Sequence, residues 1–183
     1  MKRIFDVIIS FSVILILLPL LVIIYFMIKK DGGSALFKQK RVGLNSDLFL
    51  IYKFRSMVVD ASKLGGYSTQ TNDNRITKIG KFIRRTSIDE LPQLFNVLKG
   101  DMSIVGPRPN VPEQINEYTE ADWKKRNSIL PGITGLSQAT YRSDATFDQR
   151  LRSDLYYVDN KNMSFDIKII MMTVKQIISK GGN

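Results

Sequence analysis

The sequence predicts an α+β chain: an N-terminal membrane helix, then a mostly helical cytosolic domain with a short β-hairpin and interfacial amphipathic helices. Three observations predict it. Val7 to Ile28 runs 22 residues without a charge, two β-like runs flank a Gly-Leu-Asn turn, and later apolar residues recur at helical spacing. A length of 183 residues is one domain with an appendage. The boundary falls between a membrane segment, 1–30, and a cytosolic domain, 31–183.

Ile4 to Ile28 is long enough to span, since 22 uncharged residues cover about 33 Å of a roughly 30 Å hydrocarbon layer. A cleaved signal peptide fits less well, because Ile28-Lys29-Lys30-Asp31 offers no small-residue cleavage site. Two features favour a re-entrant helix instead. Lys2 and Arg3 precede the segment and Lys29, Lys30, Lys38, Lys40 and Arg41 follow it, so the positive-inside rule holds both flanks in the cytoplasm. Pro19, the expected break, removes a hydrogen bond to the Leu15 carbonyl, leaving arms of about 20 Å, too short to cross. These residues alone support spanning and re-entrant geometries about equally.

Ala35 to Gln39 and Leu48 to Phe54 read as strands around Gly43 to Asp47, and Gly65 to Asn74 as a polar loop. Arg75 to Arg85 carries Ile76, Ile79, Phe82 and Ile83 on one helical face and cations on the other, which suits a surface helix on the core or on anionic lipid. Leu91 to Leu98 continues as helix, Met102 to Val105 as a short buried strand, Glu113 to Arg126 as one helix, and Leu130 to Gln138 as a Pro/Gly loop. Asp148 to Tyr157 is helical. The last helix starts near Ser164 as N-cap and repeats apolar residues from Ile167 to Ile178.

With no Cys and no His, thiolate chemistry, Ser-His-Asp catalysis and His-ligated metal are excluded. Catalysis then falls to carboxylates, Lys, Tyr, hydroxyls or an oxygen-bound cation such as magnesium. A formal charge of +10 implies anionic partners.

Ser87-Ile88-Asp89-Glu90-Leu91-Pro92 is the most suggestive run. It reads as a capping box on Ser87 and Glu90 that merely starts a helix. With Asp89 as N-cap instead, Pro92 falls in the tolerant first turn. Either way Asp89 and Glu90 sit at a helix start, where carboxylates stay ionised and free N–H groups favour phosphate. Such an Asp can attack phosphorus or hold magnesium. Arg108, framed by Pro107 and Pro109, is a stiffly held fork suited to phosphate or a solvated surface turn. Lys53 ends a strand with Arg55 on the same side, which equally describes a charge-guarded edge. Arg84 and Arg85 bring further positive charge.

The set Lys53-Phe54-Arg55-Ser56-Met57, Ile83-Arg84, Thr86 to Gln93, Gly100-Asp101-Met102-Ser103, Gly106-Pro107-Arg108-Pro109 and Pro131 to Gly135 resembles the bacterial sugar transferases, the monotopic phosphoglycosyl transferases, in their minimal form. Each motif is weak alone. In this order they are specific, and the resemblance runs from Lys2 to about Lys175. It implies transfer of a phospho-sugar from a UDP-sugar donor to a polyprenol phosphate acceptor, releasing UMP and starting glycan assembly. The implied locale is the cytoplasmic face of the bacterial inner membrane.

The resemblance further implies Asp89 as nucleophile through an aspartyl intermediate, Glu90 beside it, and magnesium (or manganese) at Asp89 and Glu90. Arg108, Arg84 and Lys53 match the family's phosphate-handling positions. Membrane lipid is an implied partner, nucleic acid is not, and a homodimer stays open. A re-entrant helix is implied too, although the family's Ser-Pro break is Leu18-Pro19 here. Two rivals remain. One is a non-catalytic basic module binding acidic lipid or nucleic acid, which leaves the Pro-framed Arg and the Asp-Glu pair unexplained. The other keeps the enzyme but makes Asp89 a magnesium ligand only, the acceptor attacking directly.

Overall fold

The computed structural model describes residues 1–30, 32–61, 64 and 73–180. The expected loop after Gly65 falls largely outside them, at residues 65–72. The apolar run forms one helix, α1 (Lys2–Lys29), which passes through Pro19 unbroken. Among the described residues it is the one helix long and apolar enough to cross a membrane.

The two ends of α1 pack on the same globular body. At its start Arg3 donates to the Val97 and Leu98 carbonyls, and the buried Asp6 accepts from Ser103 Oγ at 2.8 Å and the Ile104 amide at 3.3 Å. At its far end Leu21, Ile24 and Ile28 form a cluster with Ala35, Phe54 and Ile83, and Arg55 donates to the Ile28 carbonyl at 3.0 Å. Between them Phe11, Leu15, Ile16 and Leu18 face outward.

The hairpin of β1 (Leu36–Val42) and β2 (Leu48–Phe54) is antiparallel, Leu36 opposite Phe54 and Val42 opposite Leu48. Thus β1 runs three residues beyond the expected Gln39. Helix α2 (Lys78–Arg85) starts after Thr77, whose hydroxyl accepts from the Gly80 amide at 2.9 Å. Of its apolar residues, Ile83 is fully buried against α1, whereas Phe82 is exposed. A 3-10 turn (Ile88–Glu90) leads to α3 (Gln93–Lys99) and then β3 (Ser103–Val105).

Three expectations need correction. The single helix over 113–126 is a 3-10 turn (Pro112–Glu117) and α4 (Glu120–Arg126), because Thr119 caps α4 by accepting from the Asp122 amide at 3.1 Å. The loop over 130–138 contains β4 (Gly132–Thr134), parallel to β3, and the start of α5 (Leu136–Tyr141). Local Pro and Gly suggested a loop; a partner nearly thirty residues away makes the strand. After α6 (Phe147–Asn160), α7 (Met163–Lys180) is capped by Asn162, which accepts from the Phe165 amide at 2.9 Å, and not by Ser164.

The main core gathers Ile51, Val97, Met102, Val105, Ala139, Tyr157 and Ile169, full burial of each Ile, Val or Met side chain contributing about 1.5–3 kcal/mol. Helix α7 turns Ile169 inward and leaves Ile167, Met171, Val174 and Ile178 exposed.

Candidate active site

Three segments distant in sequence converge on Glu90. Its Oε1 accepts from Lys53 Nζ at the end of β2, at 2.6 Å, and from Arg108 Nη2, also at 2.6 Å; Arg108 Nη1 lies 3.4 Å from Oε2. Burial pushes the Glu90 carboxyl upward, but the Arg108 and Lys53 charges overcome it and hold the group well below the usual carboxylate range. Burial lowers Lys53, and Glu90 opposes that shift. Arg108 is raised, chiefly by the Glu90 charge.

The turn carrying Asp89 and Glu90 differs from the expected helix start. Ser87 adopts a left-handed conformation (φ 56°) with no side-chain capping bond, and Pro92 occupies the N-cap of α3. The capping box does not form because Glu90 reaches its cations rather than back to the Ser87 amide. Ile88 and Leu91, on either side of the pair, pack onto the cluster built by α1 and Ile83. The acidic pair is thereby fastened to the apolar helix α1.

Asp89 makes no hydrogen bond or ion pair among the described residues. Burial first, and the Glu90 charge second, raise its carboxyl to about 6 against the opposing Lys53, Arg84 and Arg108 charges. At pH 7 it is mostly ionised, yet more basic and less solvated than an ordinary aspartate. Arg84 stands nearby, its Nε donating to Ser56 Oγ at 2.8 Å.

Arg41 is a further member that the sequence left among flanking charges. Its Nη1 donates to the Pro109 carbonyl at 3.1 Å, and burial, then repulsion from Arg108, lower it to about 10. Only the fold of the hairpin over residues 106–109 reveals it. Four cations (Lys53, Arg84, Arg108 and Arg41) thus surround two carboxylates, an excess suited to a diphosphate.

The Arg108 loop is held from behind. The Gly106 amide donates to the Thr134 carbonyl and the Gly132 amide to the Pro107 carbonyl, both at 2.9 Å. The chains touch so closely that a Cβ on Gly132 would lie 2.1 Å from the Gly106 nitrogen. Arg126, buried and paired with Asp154 at 2.8 Å, donates to the Arg108 carbonyl. Neither Arg126 nor Asp154 carried a sequence signal beyond charge in a helix.

No group of three or more metal-ligating side chains occurs among the described residues. Magnesium needs only one or two carboxylates when phosphates and waters complete its shell. Asp89 fits that part, whereas both Glu90 oxygens face cations.

The sequence that builds this site has relatives. The bacterial sugar transferase family model matches residues 1–180. An undecaprenyl-phosphate galactose phosphotransferase of Salmonella typhimurium is 40% identical, matching 100% of this chain and 41% of its own length. The galactosyl transferase CpsE of Streptococcus agalactiae is 48% identical over 82% of this chain and 36% of its own. An exopolysaccharide production protein of Rhizobium leguminosarum is 41% identical over 99% of this chain and 96% of its own. The chain thus spans about two fifths of the length of the first two. With the family match covering nearly every residue and the motifs meeting at one cluster, the chain belongs to the bacterial sugar transferases.

Proposed function

We propose that this protein is a phosphoglycosyl transferase that moves a sugar phosphate from a UDP-sugar to a polyprenol phosphate at the cytoplasmic face of the membrane, through an aspartyl intermediate. The carrying observation is the division of labour in the acidic pair: Glu90 is neutralised by Lys53 and Arg108, while Asp89 has no hydrogen-bond partner among the described residues and is raised to about 6. Relatives that include an undecaprenyl-phosphate galactose phosphotransferase and an undecaprenyl-phosphate glucose phosphotransferase support the substrate classes.

In the first step an Asp89 carboxylate oxygen bonds to the phosphorus that bears the sugar, and the bond from that phosphorus to the UMP oxygen breaks with its electron pair. In the second, an oxygen of the polyprenol phosphate bonds to the same phosphorus, and the bond to Asp89 breaks, restoring the carboxylate. Arg108, Lys53, Arg84 and Arg41 hold phosphate oxygens, and Glu90 orients Lys53 and Arg108. Magnesium at Asp89 would neutralise diphosphate charge.

The N-terminal segment, residues 1–30, lies in one leaflet as a continuous helix with both ends on the cytoplasmic side, and residues 31–183 form the catalytic domain. Supporting this, Asp6 and Ile28, near opposite ends of α1, are both buried against the same globular body, an awkward geometry for a helix that crosses.

The rival in which polyprenol phosphate attacks directly draws support from the full engagement of Glu90, which leaves Asp89 as the carboxylate open to metal. One experiment separates them. Given a UDP-sugar without acceptor, the enzyme should release up to one UMP per site and gain the mass of a phospho-sugar on the Asp89 peptide. UMP formed only with polyprenol phosphate present, and no adduct at short times, would give the reaction to direct attack.

A further inference from the structure

A cavity of about 190 Å³ adjoins Glu90 and Arg108 on the side of α5 and α7. Leu91, Leu94, Ile133 and Ile177 supply much of its wall. Its polar lining is largely occupied. Thr134 and Thr173 share a hydroxyl hydrogen bond of 2.7 Å, Gln138 Nε2 donates to the Ile133 carbonyl at 3.2 Å, and Gln176 Nε2 donates to the Ala139 carbonyl at 2.7 Å.

Ser87, whose hydroxyl has no hydrogen-bond partner among the described residues, and Arg142 are the exceptions, and the charged one is Arg142. It lines the cavity without a side-chain hydrogen bond or ion pair among the described residues. Its backbone holds φ 58° and ψ −130°, a combination that side-chain-bearing residues rarely adopt and that persists only where the surroundings impose it. The fold therefore keeps a cation at this spot against the local preference of the chain.

An apolar wall with one open guanidinium suits an amphiphile with a single anionic head, and suits poorly a nucleotide sugar, whose base and hydroxyls need polar partners. The cavity also borders lipid-like surface. Ile177 lines it, and its neighbours Val174 and Ile178 belong to the exposed apolar stripe of α7.

We propose that Arg142 binds the phosphate of the isoprenoid acceptor in this cavity, with the first isoprene units against Leu91, Leu94, Ile133 and Ile177. The proposal rests on the transferase reading above for the identity of the acceptor. It places the acceptor's phosphate beside the Glu90 and Arg108 pair, reached from the α7 face.

The test uses the full-length protein in detergent and farnesyl phosphate as probe, with farnesol as the uncharged control. Wild type should bind farnesyl phosphate at least tenfold more tightly than farnesol, and Arg142→Gln should erase that difference. Arg142→Gly, which relieves the positive φ, should keep the wild-type Tm and lose the same selectivity, so that misfolding is not the cause. Ile177→Trp, filling the cavity with Arg142 intact, should exclude the probe.

In turnover the Arg142→Gln defect should fall on KM for polyprenol phosphate, raised at least tenfold, rather than on UMP release from donor alone. Selectivity unchanged in Arg142→Gln overturns the proposal. So does a loss of donor-alone UMP release as large as that of the coupled rate, because the cavity then serves the donor. Binding is read without turnover: Arg142-dependent selectivity in a protein that forms no UMP would defeat the transferase reading and leave the cavity assignment standing.

Discussion

Arg126 donates to the backbone carbonyl of Arg108 while its Nε is paired with Asp154 at 2.8 Å, so a fully buried cation holds the main chain of the residue that grips Glu90. The Arg126 guanidinium also lies over the Tyr118 ring, 5.7 Å from its centroid. Arg126→Ala leaves Asp154 buried and unpaired, an imbalance worth about 3–5 kcal/mol. Chemical denaturation should show that loss. Arg126→Met with Asp154→Leu should recover most of the stability but not the donor kcat/KM; full kinetic recovery would remove Arg126 from any role in aiming Arg108.

Activity should rise with pH through about 6, because a protonated Asp89 neither attacks phosphorus nor binds metal and its carboxyl is raised to that value. Stability changes in the opposite direction. An aspartate raised on folding binds its proton more tightly in the folded state, so stability is lost as pH climbs from the ordinary value of 3.8 to about 6. Asp89→Asn should therefore abolish turnover and raise Tm at pH 7.5, with little gain at pH 4. Equal Tm changes at both values would contradict the burial of this charge.

Arg108→Ala removes the two contacts to Glu90 and the proposed phosphate ligand. Charge-assisted contacts contribute about 1.5–3 kcal/mol, so donor kcat/KM should fall roughly 10- to 150-fold. Lys53→Ala should fall less, since Arg108 still neutralises Glu90. Wild-type kinetics for Arg108→Ala at low donor would sink its assignment.

Chelation tests the metal. EDTA should abolish turnover and magnesium or manganese restore it, given oxygen donors alone at Asp89. Full activity in chelator would leave the cation cluster as the sole electrophilic support.

Topology is accessible because the chain has no Cys. A cysteine fused before Met1 and one at the exposed Ser34 should be modified from the same side of the membrane. Opposite accessibility would make α1 a spanning helix.

The long apolar helix, the hairpin and most other helices are legible in the residues alone, because hydrophobic period, Pro, Gly and capping residues act over a few positions. The uncharged run, Thr77 before α2 and the amphipathic α7 are of this kind. The sequence also marks Lys53, Asp89, Glu90 and Arg108, since carboxylates and cations are the chemistry left without Cys or His. What each of them touches follows from the fold. Glu90 abandons its local capping role because Lys53, 37 residues before it, and Arg108, 18 after it, arrive within 2.6 Å. Asp89 becomes basic through burial that no neighbouring residue encodes. The Pro-Gly-Ile-Thr run becomes a strand only when Gly132 meets Gly106. Arg41 and Arg126 join the site through the packing of a hairpin and a buried pair, and a strained turn brings Arg142 to the cavity beside it. Charge acts over ångströms in space, and distance along the chain says little about it.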